Sequence, residues 1–151
     1  LRLKSVHKRY SALVHGVWPS SIKIVKQPLL KNVLKNGERI VSICNTGKIS
    51  ETHFYIQEHF VSSTLVSIVP ITGRTHQIRV HSAHVGFPII FDSRYGNKLL
   101  NKKLNNKNKR LCLHAEYITF IHPYTLKKVT FFAPMDNQLK TLIKMLRNNK
   151  I

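Results

Sequence analysis

Along Thr64-Leu65-Val66-Ser67-Ile68-Val69, apolar and polar positions alternate with β-branched residues among them, the two-residue period of a strand. Pro70 ends ladder donation, and Gly73 permits a backbone turn that a Cβ would resist. The period then changes. At about 100° per residue, His76, Arg79, Val80 and Ala83 share one face, with Ile78 and Val85 opposite. Thr75 is the candidate N-cap, and Gly86 followed by Pro88 is the stop. The stretch predicts strand, tight turn, helix.

The same patterns organise the rest of the chain. Tyr10-Ser11-Ala12-Leu13-Val14 is a predicted strand ending at Gly16, and Trp18 to Asn36, broken by Pro19 and Pro28, is expected to be irregular. Arg39 to Ile43 and Thr52 to Glu58 are predicted strands around a turn at Asn45-Thr46-Gly47. Asn97 to Arg110 is an Asn/Lys tract expected to be a short helix fraying into loop. Leu111 to Ile121 and Lys128 to Ala133 predict a hairpin across His122-Pro123-Tyr124-Thr125. Leu139, Leu142, Ile143 and Leu146 predict an amphipathic helix capped by Asp136. Strands in series before a helix indicate an α+β fold with a mixed or antiparallel sheet, not βαβ repeats. With 151 residues and no internal repeat or linker, one folding unit is expected.

Composition adds a charge. Lys and Arg number 25 against 6 acidic residues, a net +19 with histidine neutral. Two causes fit: a polyanionic partner, nucleic acid being the usual one, or compositional bias in a chain also rich in Asn and Ile. Cys44 and Cys112 stand far apart without a CxxC, the pattern of a reduced, cytosolic protein with two small apolar fillers. His81 and His84 are spaced i,i+3, but no acidic or Cys ligand stands near in sequence, so no metal is expected. No apolar run approaches the ~20 residues of a membrane span, and no signal peptide opens the chain. The first residue, Leu1, suggests a fragment.

Chemistry concentrates where the period changes. Arg74, His76 and Arg79 stand in the first turns of the predicted helix, where free amides favour phosphate or carboxylate. Taken alone, they also fit an ordinary solvated basic face. The full string Thr72-Gly73-Arg74-Thr75-His76-Gln77-Ile78-Arg79-Val80-His81, followed by His84-Val85-Gly86-Phe87-Pro88 and Phe91-Asp92-Ser93-Arg94-Tyr95-Gly96, closely resembles a motif of the pseudouridine synthases that modify large-subunit ribosomal RNA. The resemblance extends over Tyr10 to Gly16, Pro28 to Asn32, Gly37 to Val41, Ser50 to Thr52, Leu113 to Ala115 and Ala133 to Asp136.

That resemblance implies isomerisation of uridines of 23S ribosomal RNA without cofactor or metal, in a cytoplasmic monomer bound to no membrane. It implies catalytic roles for Tyr10, stacking on the flipped uracil and moving a proton from C5, for Ile78 as an apolar face under the base, and for Arg79 as partner of a nucleophilic Asp. Arg74, Thr75 and His76 are expected to contact RNA or brace the turn. The family's nucleophile lies in an R-L-D-x-x-T-S-G motif, and no such motif occurs here; Glu38, Glu51, Glu58, Asp92, Glu116 and Asp136 all stand in other contexts. The expectation is therefore that residues 1–151 form the C-terminal part of a catalytic domain, inactive alone, with the Asp motif and an S4-like RNA-binding domain outside it. The alternative is a catalytically inactive RNA-binding module or a ribosome-associated structural protein.

Overall fold

The strand bearing Tyr10 lies in the interior of the main sheet. The computed structural model describes residues 6–104 and 109–148. In chain order its elements are β1 (His7–His15), β2 (Ile24–Lys26), β3 (Leu29–Val33), β4 (Arg39–Ile43), β5 (Glu51–His59), β6 (Ser63–Pro70), α1 (Gln77–His84), α2 (Lys98–Lys103), β7 (Leu113–Ile121), β8 (Lys128–Phe132) and α3 (Asn137–Arg147). Six strands join in the order β2-β5-β6-β1-β7-β8, and every pairing is antiparallel. The α+β expectation holds.

In β1 the last five residues are buried in succession, and in β6 the first six. A strand buried at consecutive positions is covered on both faces. The cover comes from Leu139, Leu142, Ile143 and Leu146 of α3, from Ile78 of α1, and from Ile89, Ile90 and Phe91. The helix predicted from the i, i+3, i+4, i+7 spacing is present, and Asp136 Oδ1 accepts from the Gln138 and Leu139 amides at 3.0 and 3.1 Å. Its C-terminal end is tied to β5 by Arg147 and Glu58, 2.6 Å apart. The β7–β8 hairpin also matches the prediction.

The segment from Trp18 to Asn36 is not irregular throughout. Val25 is buried where β2 pairs with β5, and β3 pairs with β4 in a separate two-stranded sheet. Three residues of β2 are too few to show a period, and Pro28 separates the two strands while removing only a donor. The β3–β4 hairpin rests on α1 through Leu29, Val41 and Val80, and its Val41 amide donates to the Tyr95 hydroxyl at 3.0 Å. Gly47 closes its base, since a Cβ there would lie 2.5 Å from the Leu29 carbonyl carbon.

The predicted helix in the Asn/Lys tract is α2; residues 105–108, where it was expected to fray, lie outside the described residues. Only one cysteine is an apolar filler. Cys112 is buried, which pushes its thiol up to about 12, whereas Cys44 is half-buried beside the Thr46 hydroxyl. Among the described residues no helix is long and apolar enough to cross a membrane.

Candidate active-site cleft

The loop between β6 and α1 is shaped by the side chain of Gln77, not by a Thr75 cap. Helix α1 starts at Gln77, and the capping position falls on His76, in the left-handed region at φ 52° with no side-chain cap. The Gln77 amide oxygen accepts from the Thr72 hydroxyl at 2.7 Å and from the Arg74 N–H at 3.0 Å. Its nitrogen donates to the Glu51 carbonyl and to the Thr52 hydroxyl. With Gln77 partnering the Arg74 amide, the turn has no need of a threonine cap one residue earlier than the helix permits.

Behind Gln77 the chain of hydrogen bonds continues. Thr52 accepts from Gln77 and is bonded to His81 Nδ1 at 2.8 Å, and the opposite ring nitrogen donates to the Gln27 carbonyl at 2.9 Å. A carbonyl only accepts, so Nε2 carries a proton, and burial favours the neutral ring in which Nδ1 accepts from Thr52. Burial also holds the His81 pKa below the ordinary histidine range, against the Gln27 carbonyl bond that raises it. Both ring nitrogens of His81 are thus occupied within the protein, and the described residues contain no cluster of three or more candidate metal ligands.

Arg79 has a partner that sequence reasoning assigned elsewhere. Its Nε and Nη2 donate to the two oxygens of Asp92 at 2.7 and 2.8 Å, a bidentate pair. Asp92 is 1% exposed, and its Oδ1 also accepts the Arg94 and Tyr95 amides at 2.9 Å each. Burial alone would raise the Asp92 pKa; the Arg79 hydrogen bond and the two amides outweigh it and leave the carboxyl below its ordinary range. Both Asp92 oxygens are thus occupied within the protein. Gly96 is required by the same loop, since a Cβ would fall 2.2 Å from the Asp92 carbonyl oxygen. Non-glycine residues with positive φ stand beside both ends of the pair, His76 and Phe91 (φ 58°), each strained by about 1–3 kcal/mol.

The Tyr95 hydroxyl accepts from Val41 N–H and is bonded to His76 Nδ1 at 2.9 Å, while the Arg79 guanidinium lies 5.0 Å from the Tyr95 ring centroid. Burial first, then the Arg79 and Arg94 charges, hold the His76 pKa below its ordinary range. His76 is thus tied into the turn as a brace.

These elements frame a cleft of about 290 Å³ whose lining includes Lys8, Tyr10, Arg74, His76, Ile78 and Arg79. Five of the six sequence-predicted site residues meet there; Thr75 does not, and lines a neighbouring cleft instead. Tyr10 arrives from β1 at a β-bulge between Arg9 and Tyr10, which re-aims the strand. Arg9 clamps the bulge through a bidentate pair with Glu116 at 2.9 and 3.0 Å. Burial raises the Tyr10 pKa, so its phenol remains protonated at neutral pH. Ile78, 7% exposed, supplies an apolar wall and Arg74 an exposed cation. No acidic side chain lines the cleft among the described residues. A space of this size, with one aromatic, one aliphatic wall and several cations, suits a planar base attached to phosphate.

Comparison with known proteins gives one consistent result. A family model described as RNA pseudouridylate synthase matches residues 1–84. The ribosomal large subunit pseudouridine synthase C of Buchnera aphidicola subsp. Schizaphis graminum is 53% identical over 149 residues, covering 95% of this chain and 48% of the relative. Its namesake in Salmonella typhimurium is 49% identical over 153 residues, covering 99% and 48%. The chain therefore spans about half the length of the curated relatives it matches. Among solved structures, human RNA pseudouridylate synthase domain containing 1 matches with a TM-score of 0.74 at 26% identity, over 95% of this chain and 66% of that one. Human RNA pseudouridylate synthase domain containing 4, at 23% identity and a TM-score of 0.69 over 94% and 62%, shares the fold.

Proposed function

The chain belongs to the RNA pseudouridylate synthase family, and from that premise we propose that its cleft takes a flipped uridine of 23S ribosomal RNA and contributes one wall of the site that converts it to pseudouridine. The observation that carries the proposal is the meeting of Tyr10, Ile78 and Arg79, from β1 and α1, in one cleft. The isomerisation breaks the N1–C1′ bond, turns the base and rejoins it through C5, and it needs neither redox partner nor metal. Residues 1–151 act as the C-terminal part of a catalytic domain, in a cytoplasmic monomer, and the nucleophilic carboxylate comes from an R-L-D-x-x-T-S-G segment outside this stretch.

Each wall has a task in this scheme. Ile78 gives the loosened uracil a dry surface, and Tyr10 stacks on the base and carries the proton that leaves C5. Arg79 orients the incoming carboxylate. Asp92 takes one N–H each of Nε and Nη2, so the two N–H of Nη1 and the second of Nη2 are left for another carboxylate. Asp92 is then a positioning residue: it fixes the guanidinium plane before the nucleophile meets it. Arg74 pairs with backbone phosphate. Extruding the uridine costs a few kcal/mol, offset by stacking and phosphate contacts.

A second reading, an RNA-binding module or ribosome-associated structural protein without catalysis, draws on the absence of any acidic side chain from the cleft lining among the described residues. One assay separates the two. Tritium release from C5-labelled uridine in 23S RNA should be absent with the chain alone and present with a protein carrying the chain together with the R-L-D-x-x-T-S-G segment. Release by the chain alone would return attention to its own carboxylates. No release by either would support the non-catalytic reading.

A further inference from the structure

A second cleft, of about 430 Å³, lies on the other side of the Gly73–Arg74 backbone, between that loop and the β3–β4 hairpin. Gly73 and Arg74 line both clefts, so the two adjoin at this loop. Lys31, Lys48 and Arg74 contribute three cations to the second cleft, Thr46 and Thr75 two hydroxyls, and no acidic side chain lines it among the described residues. Lys31, Lys48 and Arg74 are all exposed. A Cβ added at Gly73 would meet nothing within 4 Å, so the loop leaves its main chain open to close approach.

The cleft has a held shape. Leu29 and Lys48 exchange backbone hydrogen bonds at 2.9 and 2.8 Å, Gly47 packs directly on the Leu29 backbone, and Arg74 Nε donates to the Ile49 carbonyl at 3.3 Å. The Tyr95 hydroxyl joins the hairpin to the turn by bonding both Val41 and His76. Because β3 and β4 form a sheet separate from the six-stranded one, these contacts set where Lys31 stands relative to Arg74.

We infer that this second cleft is an RNA subsite: it holds the phosphodiester and sugar of a nucleotide flanking the one in the Tyr10 cleft, with Arg74 between the two. Three cations around an acid-free space recognise phosphate charge, and the two hydroxyls and open backbone suit ribose and phosphate oxygens. A strand that places one nucleotide in the first cleft continues beyond it, and the second cleft adjoins it at the Gly73–Arg74 loop. The inference rests on the RNA reading above, and it assigns Thr75 to the flanking nucleotide and not to the reacting one.

The test is the salt dependence of binding of a short fluorescein-labelled single-stranded RNA containing one uridine, followed by anisotropy with the chain. Lys31→Ala/Lys48→Ala is compared with Lys140→Ala/Lys144→Ala, which removes the same charge from exposed positions of α3. The first pair should weaken binding about tenfold at low salt and lower the log–log salt slope by about 1.4, at ~0.7 per phosphate for single strands. The second should leave the slope within error of the parent. Equal losses from both pairs would show a general charge effect and overturn the subsite. Salt-dependent binding by the parent with no change in Lys31→Ala/Lys48→Ala would also overturn it, while leaving the first cleft's role intact. Failure of the parent to bind the strand would remove both.

Discussion

Behind α1, toward β5, Gln77 and His81 are buried, and each of their polar side-chain atoms has a partner in the protein. In front, Arg74 is exposed, and Tyr10 makes no side-chain hydrogen bond among the described residues. Both sets line or adjoin one short helix, yet the first is committed to the fold and the second is open to a ligand. Arg79 belongs to both, with one edge fixed on Asp92 and the rest of its guanidinium at the cleft. A ten-residue run that reads as one motif therefore divides into residues that hold position and residues that make contact.

The largest expected break in this contrast is on the holding side. Asp92→Ala leaves the Arg79 guanidinium, 17% exposed, without its partner, and loss of one member of such a pair costs about 3–5 kcal/mol. Urea unfolding of the chain should show it as a lower midpoint. A change under 1 kcal/mol, roughly that of an exposed pair, would mean that the Arg79–Asp92 pair is not the internal fastening described here. Gln77→Leu should come next, at about 1–3 kcal/mol, since it removes the partner of the Arg74 amide and of the Thr72 hydroxyl.

Acid should sharpen the same contrast. His81 and His15 are both buried and have folded pKa values below the ordinary histidine value, with burial the leading cause in each. The unfolded chain then takes up these protons first as pH falls. The contribution is fully present above roughly pH 6.5 and is lost below it as pH approaches the folded values. Asp92, whose folded pKa is also lowered, adds a second loss at more acid pH. Thermal unfolding followed downward from neutral pH should show the first decline beginning near roughly pH 6.5, and His81→Asn should reduce its slope. A flat profile through that window would show that these imidazoles are not held neutral. The smallest expected effect belongs to the contact side. Arg74→Ala should change stability by under about 0.5 kcal/mol, while lowering the salt slope of RNA binding by about 0.7.

The elements legible in the sequence were those with a full period. Helix α3, the β7–β8 hairpin and the strands around Leu13, Val41 and Phe54 each repeat their pattern often enough to be seen. Strands β2 and β3 are too short or too exposed for that, since β3 buries one residue of five. Within the site, Tyr10, Ile78 and Arg79 entered through family resemblance, because no periodicity separates them from other strand or helix residues. The Arg79–Asp92 pair joins α1 to the segment that follows it across thirteen positions, and spacing alone does not announce such a contact. Gln77 and His81 did leave a signal: two polar side chains one helical turn apart beside Ile78 and Val80, on a helix too short to be stabilised by its own hydrogen bonds. Thr75 carried the opposite lesson, a good capping residue displaced by a glutamine that closes the turn from within.

The most direct test of the central claim, that the Tyr10 cleft is where uridine reacts, is single-turnover pseudouridine formation by Tyr10→Phe in a protein carrying this chain with the R-L-D-x-x-T-S-G segment. The substitution keeps the ring and removes a hydroxyl that bonds to nothing else among the described residues, so fold and RNA affinity should be unchanged. If Tyr10 moves the C5 proton, the rate should fall about 10²–10⁴-fold, the usual worth of a positioned acid–base group. A parental rate with parental affinity would contradict that role, and a parental rate in Tyr10→Ala as well would place the reacting uridine somewhere other than this cleft.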